Sequence, residues 1–393
     1  MKPNYDVLGN YIQPIDMRNS AGKEENLLGV TTQKFFMPSI ANTVGTDFSK
    51  YKIVRRGQFT YVPDTSRRGD RIAIALLQDW EEGLVSNIYT VFEVTDEERL
   101  MSEYLMLWFK RPEFDRYARF KSHGSVREIF DWDELCKVEL PIPDIAVQRS
   151  IVRAYNTIEG RIKHLRELND NLVSAAHTYF AKLFSQDSRF NDEGSEWYAR
   201  PLGKSLEKVA MGPFGSNIKT DCFVDVGVPV LNGNNIADLL LNESSYRYVT
   251  EDKAYELKNS IAVAGDIVVT HRGTLGQIAY IPHATEYDRY VISQSQFMFR
   301  CDLEQVAPEY ILFYFKTDIG QRRLLANNNT TGVPSIAKPT TYIKDLHIPI
   351  PPIELQHRWL TLVKPSIERI FSQQKEIRQL CNLQEILQAS LAR

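Results

Sequence analysis

Leu140-Pro141-Ile142-Pro143 leads into Gln148 and then into a long heptad-patterned stretch. After an offset of 208 residues, Ile348-Pro349-Ile350-Pro351 leads into Gln356 and a second such stretch. A repeat of this size has to be read before any local motif, because it implies one structural plan used twice. Each copy is a globular region followed by a long helix, so a single chain carries approximate two-fold symmetry. Such a molecule suits a ligand that is itself two-fold related, and duplex DNA is the obvious one.

The helices are the clearest elements. From Ile151 onward, Tyr155, Ile158, Ile162, Leu165, Asn169, Leu172, Ala176, Tyr179 and Leu183 keep an alternating four-three spacing, the seam of a coiled coil. The frame moved on by 208 reads Trp359, Val363, Ser366, Ile370, Gln373, Ile377, Leu380, Gln384, Leu387 and Leu391, of which seven are apolar. Leu360, Ile367, Phe371 and Leu383 widen that face, which points to more than one packing partner. Pro365 is expected to kink or restart the second helix early. Asn169 either fixes the register or is a surface-facing Asn beside a wet seam. A helix of about 35 residues is roughly 50 Å long, and alone it would be marginal. The two are therefore expected to pack antiparallel, with a globular region at each end, as a spacer.

The globular regions diverge but keep landmarks. Leu8-Gly9-Asn10 answers Leu202-Gly203-Lys204, and Gly57-Gln58-Phe59-Thr60-Tyr61 answers Gly265-Asp266-Ile267-Val268-Val269. Arg68-Gly69 answers Arg272-Gly273, and Ile72-Ala73 answers Ile278-Ala279 once a two-residue insertion is allowed. Val85-Ser86-Asn87 answers Ile292-Ser293-Gln294, Tyr104 to Lys110 answers Tyr310 to Lys316, and Gly124 answers Gly332. Short β-branched and aromatic runs punctuated by Gly, Asn and Pro read as strands, with an amphipathic helix near residues 97–110 and again near 308–316. The expected fold is α+β: two globular α/β-mixed domains (residues 1–144 and 187–352) and two long antiparallel coiled-coil helices (145–186 and 353–393).

Composition bounds the function. The chain has 393 residues, 43% hydrophobic and 25% charged, which is ordinary for globular domains. Its longest apolar runs, such as residues 72–77, are too short to span a bilayer. The N-terminus lacks the apolar core of a signal peptide. Cys136, Cys222, Cys301 and Cys381 are scattered, with neither zinc-ligand nor disulfide-framework spacing, so a cytoplasmic location is the default expectation. The formal net charge of -3 argues against a simple DNA-coating protein, so positive charge must be local or supplied by partners.

No catalytic centre is visible in the sequence. A Walker A loop ending at Gly203-Lys204-Ser205 would need a glycine where Tyr198 stands. Pro351-Pro352, between Ile350 and Ile353, lacks the Asn/Asp-Pro-Pro-aromatic tetrapeptide of amino-methyltransferases. Met211-Gly212-Pro213-Phe214-Gly215-Ser216 is glycine-rich, but Pro213 removes a backbone donor. Pro63-Asp64 has no following acidic-x-Lys partner, and no histidine is spaced with acids for metal binding.

Residues able to touch DNA are more plentiful. Arg55, Arg56, Arg67, Arg68 and Arg71 lie close in sequence around two turns, interleaved with Ser66, Asp70, Gln58 and Thr60. They read either as phosphate clamps and guanine-reading arginines or as a solvated basic loop paired with nearby acids. The matching stretch, Thr270-His271-Arg272-Gly273-Thr274-Leu275-Gly276-Gln277, is again a polar turn after a strand, with an Arg at the matching place. Two unlike loops on matched scaffolds are what different base readouts would look like. Further candidates are Thr32, Gln33, Lys34, Lys121, His123, Asn217, Lys219, Asn232, Asn234, Asn235, Gln294, Arg322, Arg323 and Asn328; each stretch singly reads first as an ordinary polar loop, and together they give both halves donor-rich surfaces.

The whole pattern resembles the specificity (S) subunits of type I restriction-modification systems. The repeated Leu/Ile-Pro-Ile-Pro lead-in with Gln148 and Gln356 carries the resemblance. So do Gly212-Pro213-Phe214-Gly215-Ser216 and Gly265-Asp266-Ile267-Val268-Val269-Thr270-x-Arg272-Gly273. The first half departs from both of the latter blocks, which makes its readout the less transferable. The resemblance implies a non-catalytic subunit with two target recognition domains, each reading half of a split DNA sequence, with helices that set the gap. It implies two adenine-N6 methyltransferase subunits docked on the helices that carry Tyr155, Ile162, Leu165, Asn169, Leu172, Tyr179, Val363, Ile370, Ile377, Leu380 and Leu387, and restriction subunits that join later. S-adenosylmethionine, ATP and Mg would be held by those partners, and no membrane is involved. The specificity partner of a fused type II-like enzyme would share these features. A coiled-coil adaptor with protein-binding ends is the reading from another class.

Overall fold

The computed structural model describes residues 5–22, 24–40, 43, 45–65, 69, 71–124, 128–184, 199–329 and 332–391. The chain divides into two compact units, one of residues 1–163 and 380–393, the other of residues 164–379. Both divisions fall inside the long helices Ile145–Phe184 and Ile353–Ser390. Each unit thus owns one globular region and a portion of both helices.

In the first unit an antiparallel sheet runs in the order Ile12–Ile15, Thr90–Val94, Phe59–Tyr61, Ile74–Leu76. β-Branched and aromatic residues dominate it because a pleated surface buried against helices favours them. Phe59 stacks on Phe92 at 4.8 Å and meets Phe109 edge-on at 5.8 Å. Phe109 ends the apolar helix Ser102–Phe109, which is followed by Pro112–Lys121 and the short Trp132–Cys136. Two small strand pairs, Lys52–Arg55 with Glu82–Val85 and Leu28–Val30 with Phe36–Pro38, lie outside that sheet.

The second unit repeats the plan. Its sheet runs Leu206–Met211, Gln296–Cys301, Ile267–Thr270, Ile278–Tyr280, the same order strand for strand. Helices Pro308–Lys316, Asp318–Leu325 and Pro339–Asp345 follow as in the first copy. What differs is the outer part, here a five-stranded sheet in the order Phe223–Val224, Arg247–Val249, Val228–Val230, Arg289–Val291, Ile261–Val263.

The repeated Gln has a physical reason. Gln148 is fully buried; its Oε1 accepts from Met101 N (2.9 Å), and its Nε2 donates to Arg99 O (2.9 Å) and Pro143 O (2.8 Å). Gln356, also fully buried, accepts from Ala307 N (2.8 Å) and donates to Gln305 O (3.4 Å) and Pro351 O (2.7 Å). Each amide satisfies a helix-start N–H and two carbonyls, tying the long helix to its own globular region. Beside each, a tyrosine hydroxyl donates to a lead-in proline: Tyr104 to Pro141 O and Tyr310 to Pro349 O. Gly9 and Gly203 repeat because a Cβ would stand 3.0 Å from Cys136 Cβ in one copy and 2.9 Å from Lys344 in the other.

Antiparallel pairing of the helices follows from their contacts. Within the first unit Tyr155 and Val152 pack in one core with Leu387 and Leu391, and Gln388 Nε2 donates to Tyr155 Oη at 3.4 Å. Within the second, Phe180 packs edge-on against Trp359 at 5.4 Å, and Val363, Ile367, Ile370 and Phe371 join the same core. Early residues of one helix meet late residues of the other, and late meet early. Ile162 and Leu165 are buried, while Leu172, Ile377, Leu380 and Leu387 are half-buried. Asn169 is half-buried, and its Oδ1 has no hydrogen-bond partner among the described residues.

Four expectations are corrected. Tyr179 is exposed, and Phe180 takes the inward place among Tyr310, Phe313 and Trp359. A straight helix drifts about 20° per heptad from a 3.5-residue repeat, and the seam here gives way to packing on the globular core. The second helix runs unbroken through Pro365, which is solvent-exposed, so water can serve the carbonyl left without its N–H partner. The equivalents of Ile278-Ala279 are Ile74-Ala75, not Ile72-Ala73, because Tyr61 pairs with Ile74 as Val269 pairs with Ile278. The intervening loop is therefore twelve residues (62–73) in the first unit and eight (270–277) in the second. Finally, Gln58 is less of a departure than it reads: it accepts from Arg55 N and donates to Glu93 (2.8 Å each), where Asp266 accepts from Val263 N and holds Arg300 at 2.7 and 2.9 Å.

Candidate nucleic-acid interface

In the second unit the predicted stretches converge at one end of the main sheet. The turn after Ile267–Thr270 is clasped on three sides. His271 N donates to Ser295 O (2.9 Å), Gly273 N to Pro334 O (3.0 Å), and Ile336 N to His271 O (2.8 Å). Gln321 Nε2 donates to Gly276 O at 3.1 Å, bringing in the helix that carries Arg322. Gln296 Nε2 donates to Asn232 O at 3.1 Å, so the turn at 232–235 joins the same edge. Gly212 repeats no landmark, yet no other residue fits: a Cβ there would lie 1.8 Å from Ser293 O. Gly273 and Gly276 adopt φ of +89° and +78°, which lets the loop fold back tightly.

On this rim Arg272 and Thr274 are exposed, and Arg272 makes no ion pair among the described residues. Asn217, Lys219, Asn234, Gln294, Arg322 and Asn328 are exposed as well. Gln277 is half-buried and takes a hydrogen bond from Thr270 Oγ1 at 3.2 Å. His271 is pushed below the ordinary imidazole range, first by burial and then by the neighbouring Arg272 cation, against the hydrogen bond its ring makes to Gln294 O.

Three candidates have structural duties instead. Asn235 is fully buried; it closes a capping box with Asn232 and donates to Asn242 O and Ser244 O. Asn232 spends its own amide on Asn234 N and Ser245 O. Arg323 turns away from the rim and donates to His347 O at 2.9 Å.

The first unit offers a sparser picture. Ser66, Arg67 and Arg68 lie outside the described residues. Arg71 is exposed at the end of that loop, next to Ile72, whose N–H donates to Asp115. Lys34 is a correction. It is buried at φ +69°, donates to Phe109 O and pairs with Asp115 at 2.8 Å, so it cannot meet a phosphate. Burial holds its amine below the ordinary range, against the pull of Asp115. It serves to carry exposed Gln33 and half-buried Thr32 on a turn fixed near Arg71.

Arg55 and Arg56 are not brought to this loop. They flank the Gly57 turn at the opposite end of the Phe59–Tyr61 strand and pair with Glu82 (3.1 Å) and Glu81 (2.7 Å). Sequence proximity hid this because a three-residue strand separates the two turns. His123 is exposed and pairs through its backbone with Ile129, and Lys121 lies 3.8 Å from Glu134. Asp64 bridges Ile129 as Arg272 bridges Ser335, so by register Asp64 stands where Arg272 does.

The two units share one framework, and the connection that leaves the same strand end has its own length in each, twelve residues in the first and eight in the second. Residues 215–380, almost wholly in the second unit, match the type I restriction modification DNA specificity domain. The type I restriction enzyme MjaIX specificity subunit of Methanocaldococcus jannaschii is 22% identical over 320 residues, 75% of this chain and 69% of the relative. The S subunit of a type I restriction-modification system from M. genitalium has a similar fold, with a TM-score of 0.58 at 14% identity over 100% of this chain and 99% of that one. Residues 215–380 thus match a DNA specificity domain, and the chain as a whole is similar to specificity subunits of type I restriction-modification systems. Among the described residues no helix is long and apolar enough to cross a membrane, and no group of three or more His, Cys, Asp or Glu side chains could hold a metal ion.

Proposed function

We propose that this chain reads a bipartite, asymmetric DNA target, one short block with each globular region, and that its long helices set the unread gap. The observation that supports this is the contrast inside the repeat. The sheet order and the buried Gln148 and Gln356 are duplicated, while the loops at residues 62–73 and 270–277 differ in length and chemistry. Unlike loops on a shared framework suit two unlike half-sites rather than a palindrome. In this reading the chain is a cytoplasmic scaffold on which two adenine methyltransferase subunits and then restriction subunits assemble. S-adenosylmethionine, ATP and Mg belong to those partners.

The test is to reconstitute the chain with its methyltransferase partner, map the methylated adenines, and footprint the mapped site. Two protected blocks separated by an unread gap are expected. Inserting one heptad at matching places in both helices should lengthen the preferred gap and leave the half-sites unchanged. Uniform protection, or none, would return the chain to a protein-binding adaptor.

A further inference from the structure

Beside the Arg272 turn, the second unit contains a cavity of about 600 Å³ that sequence reading did not single out. Its floor is apolar, formed by Ile218, Phe223 and Val230, and Lys219, Arg247 and Gln294 stand around it. The Arg247 guanidinium lies over the Phe223 ring at 5.2 Å. Stacking of this kind holds the planar fork in place while leaving its edge donors free. Neither Lys219 nor Arg247 makes an ion pair among the described residues, in contrast with Arg55 and Arg56. Gln294 belongs to both features: its carbonyl faces the His271 ring at 3.2 Å, and its side chain lines the cavity.

We infer that this cavity seats a backbone phosphate of the half-site read by the second unit, clamped between Arg247 and Lys219. The inference rests on the DNA-reading function proposed above. Shape decides between backbone and base. Duplex DNA presents its backbone as a convex ridge, which a concavity can receive, whereas base edges lie on groove floors and are reached by protruding loops. Charge agrees, since two uncompensated cations around one hollow match a phosphate better than a single base edge. Phosphate contacts fix register and orientation without carrying sequence information. The clamp would therefore hold the Arg272 turn at a fixed place along the groove, and Arg247 and Lys219 would act as positioning residues for it.

The experiment uses the reconstituted complex and a duplex carrying its mapped target, with binding followed over a range of salt concentrations. Arg247→Gln and Lys219→Gln should each weaken binding several-fold. Together they should reduce the slope of log K against log salt by about 1, the value for one neutralised phosphate, with the preferred bases of both half-sites unchanged. Arg55→Gln, which removes a cation already paired with Glu82, is the control and should leave the slope nearly as it was. An unchanged slope in the double variant, with wild-type binding intact, overturns the clamp alone. Relaxed base preference in one half-site also overturns it, because Arg247 would then be reading a base. If the wild-type complex shows no preference for any duplex, the DNA-reading function fails with it.

Discussion

Arg378, on the second long helix, is the counter-ion of Glu243, whose carboxylate is buried beneath the outer sheet of the second unit. Arg378 Nη1 lies 3.8 Å from Glu243 Oε2 and also donates to the Glu243 carbonyl, while Nη2 lies 3.5 Å from Glu286. Glu243 Oε1 accepts from Tyr290 Oη (3.1 Å) and Glu286 N (2.5 Å). Lys375, nearly a turn earlier on the helix, donates to Ala284 O. The outer sheet of this unit is thus strapped to the helix portion it contains.

Arg378→Met should accordingly cost more than an exposed ion pair does. It leaves a buried carboxylate without its cation, a loss of about 1–3 kcal/mol or more. Adding Glu243→Gln should recover part of that loss, since the neutral amide still accepts from Tyr290. Urea unfolding of the single and double variants measures this. Equal stability of Arg378→Met and the wild type would mean that the strap contributes nothing.

The buried glutamines make a second prediction with a built-in discriminator. Gln356→Leu strands the Ala307 N–H and the carbonyls of Pro351 and Gln305, and should destabilise the second unit by about 1–3 kcal/mol. Gln356→Glu keeps the acceptor for Ala307 but turns a carboxylate toward two carbonyl oxygens. It should be the worse of the two at neutral pH. Burial and those oxygens would raise that acid above its unfolded value, so its stability should recover as pH falls and be lost as pH rises. A Gln356→Glu protein whose stability does not depend on pH would argue against this hydrogen-bond pattern.

These residues show which parts of the fold were legible in the sequence. Gln148, Gln356 and the Pro-Ile-Pro lead-ins repeat visibly because each makes several buried contacts at once, which leaves little chemical freedom. Strand order could be anticipated only as far as the landmark glycines allowed. The Gln58–Glu93 and Asp266–Arg300 pairs occupy one place with different chemistry, so comparing letters hides their equivalence. The candidate interface was legible where polarity and exposure coincide, as at Arg272 and Gln294. It was misleading where a polar residue pairs inward, as at Lys34 and Asn235, because pairing depends on partners distant in sequence. Arg247 carried no local signal; its place follows from a strand pairing with Val230 and from the Phe223 ring.

The exchanged pairs can be tested by transplanting one into the other's place. Gln58→Asp alone removes the hydrogen bond that Gln58 gives Glu93 and turns a like charge toward it, which should destabilise the first unit. Gln58→Asp with Glu93→Arg rebuilds the arrangement of Asp266 and Arg300 and should restore most of the loss. Thermal melts of the wild type, Gln58→Asp, Glu93→Arg and the double variant give the coupling. Failure of the second change to rescue the first would show that the two places are equivalent in backbone only.

Two histidines predict pH effects of opposite sign. His177 packs against the Phe313 ring at 4.7 Å, and burial, followed by the Lys316 cation, lowers its pKa; burial likewise lowers that of His271. The native state therefore binds fewer protons than the unfolded chain near and below the unfolded value of about 6.5. Stability should be intact above that pH and fall as pH drops through it toward the lower folded values. His177→Gln should flatten the dependence of the melting temperature between pH 7.5 and 5.5. DNA binding should run the other way, because a phosphate close to the Arg272 turn raises the pKa of His271. Association would then take up a proton, and affinity should rise as pH falls over the same interval until the fold itself weakens. His271→Gln should abolish that rise and leave the His177 effect in place. Affinity independent of pH in the wild type would move the duplex away from this turn.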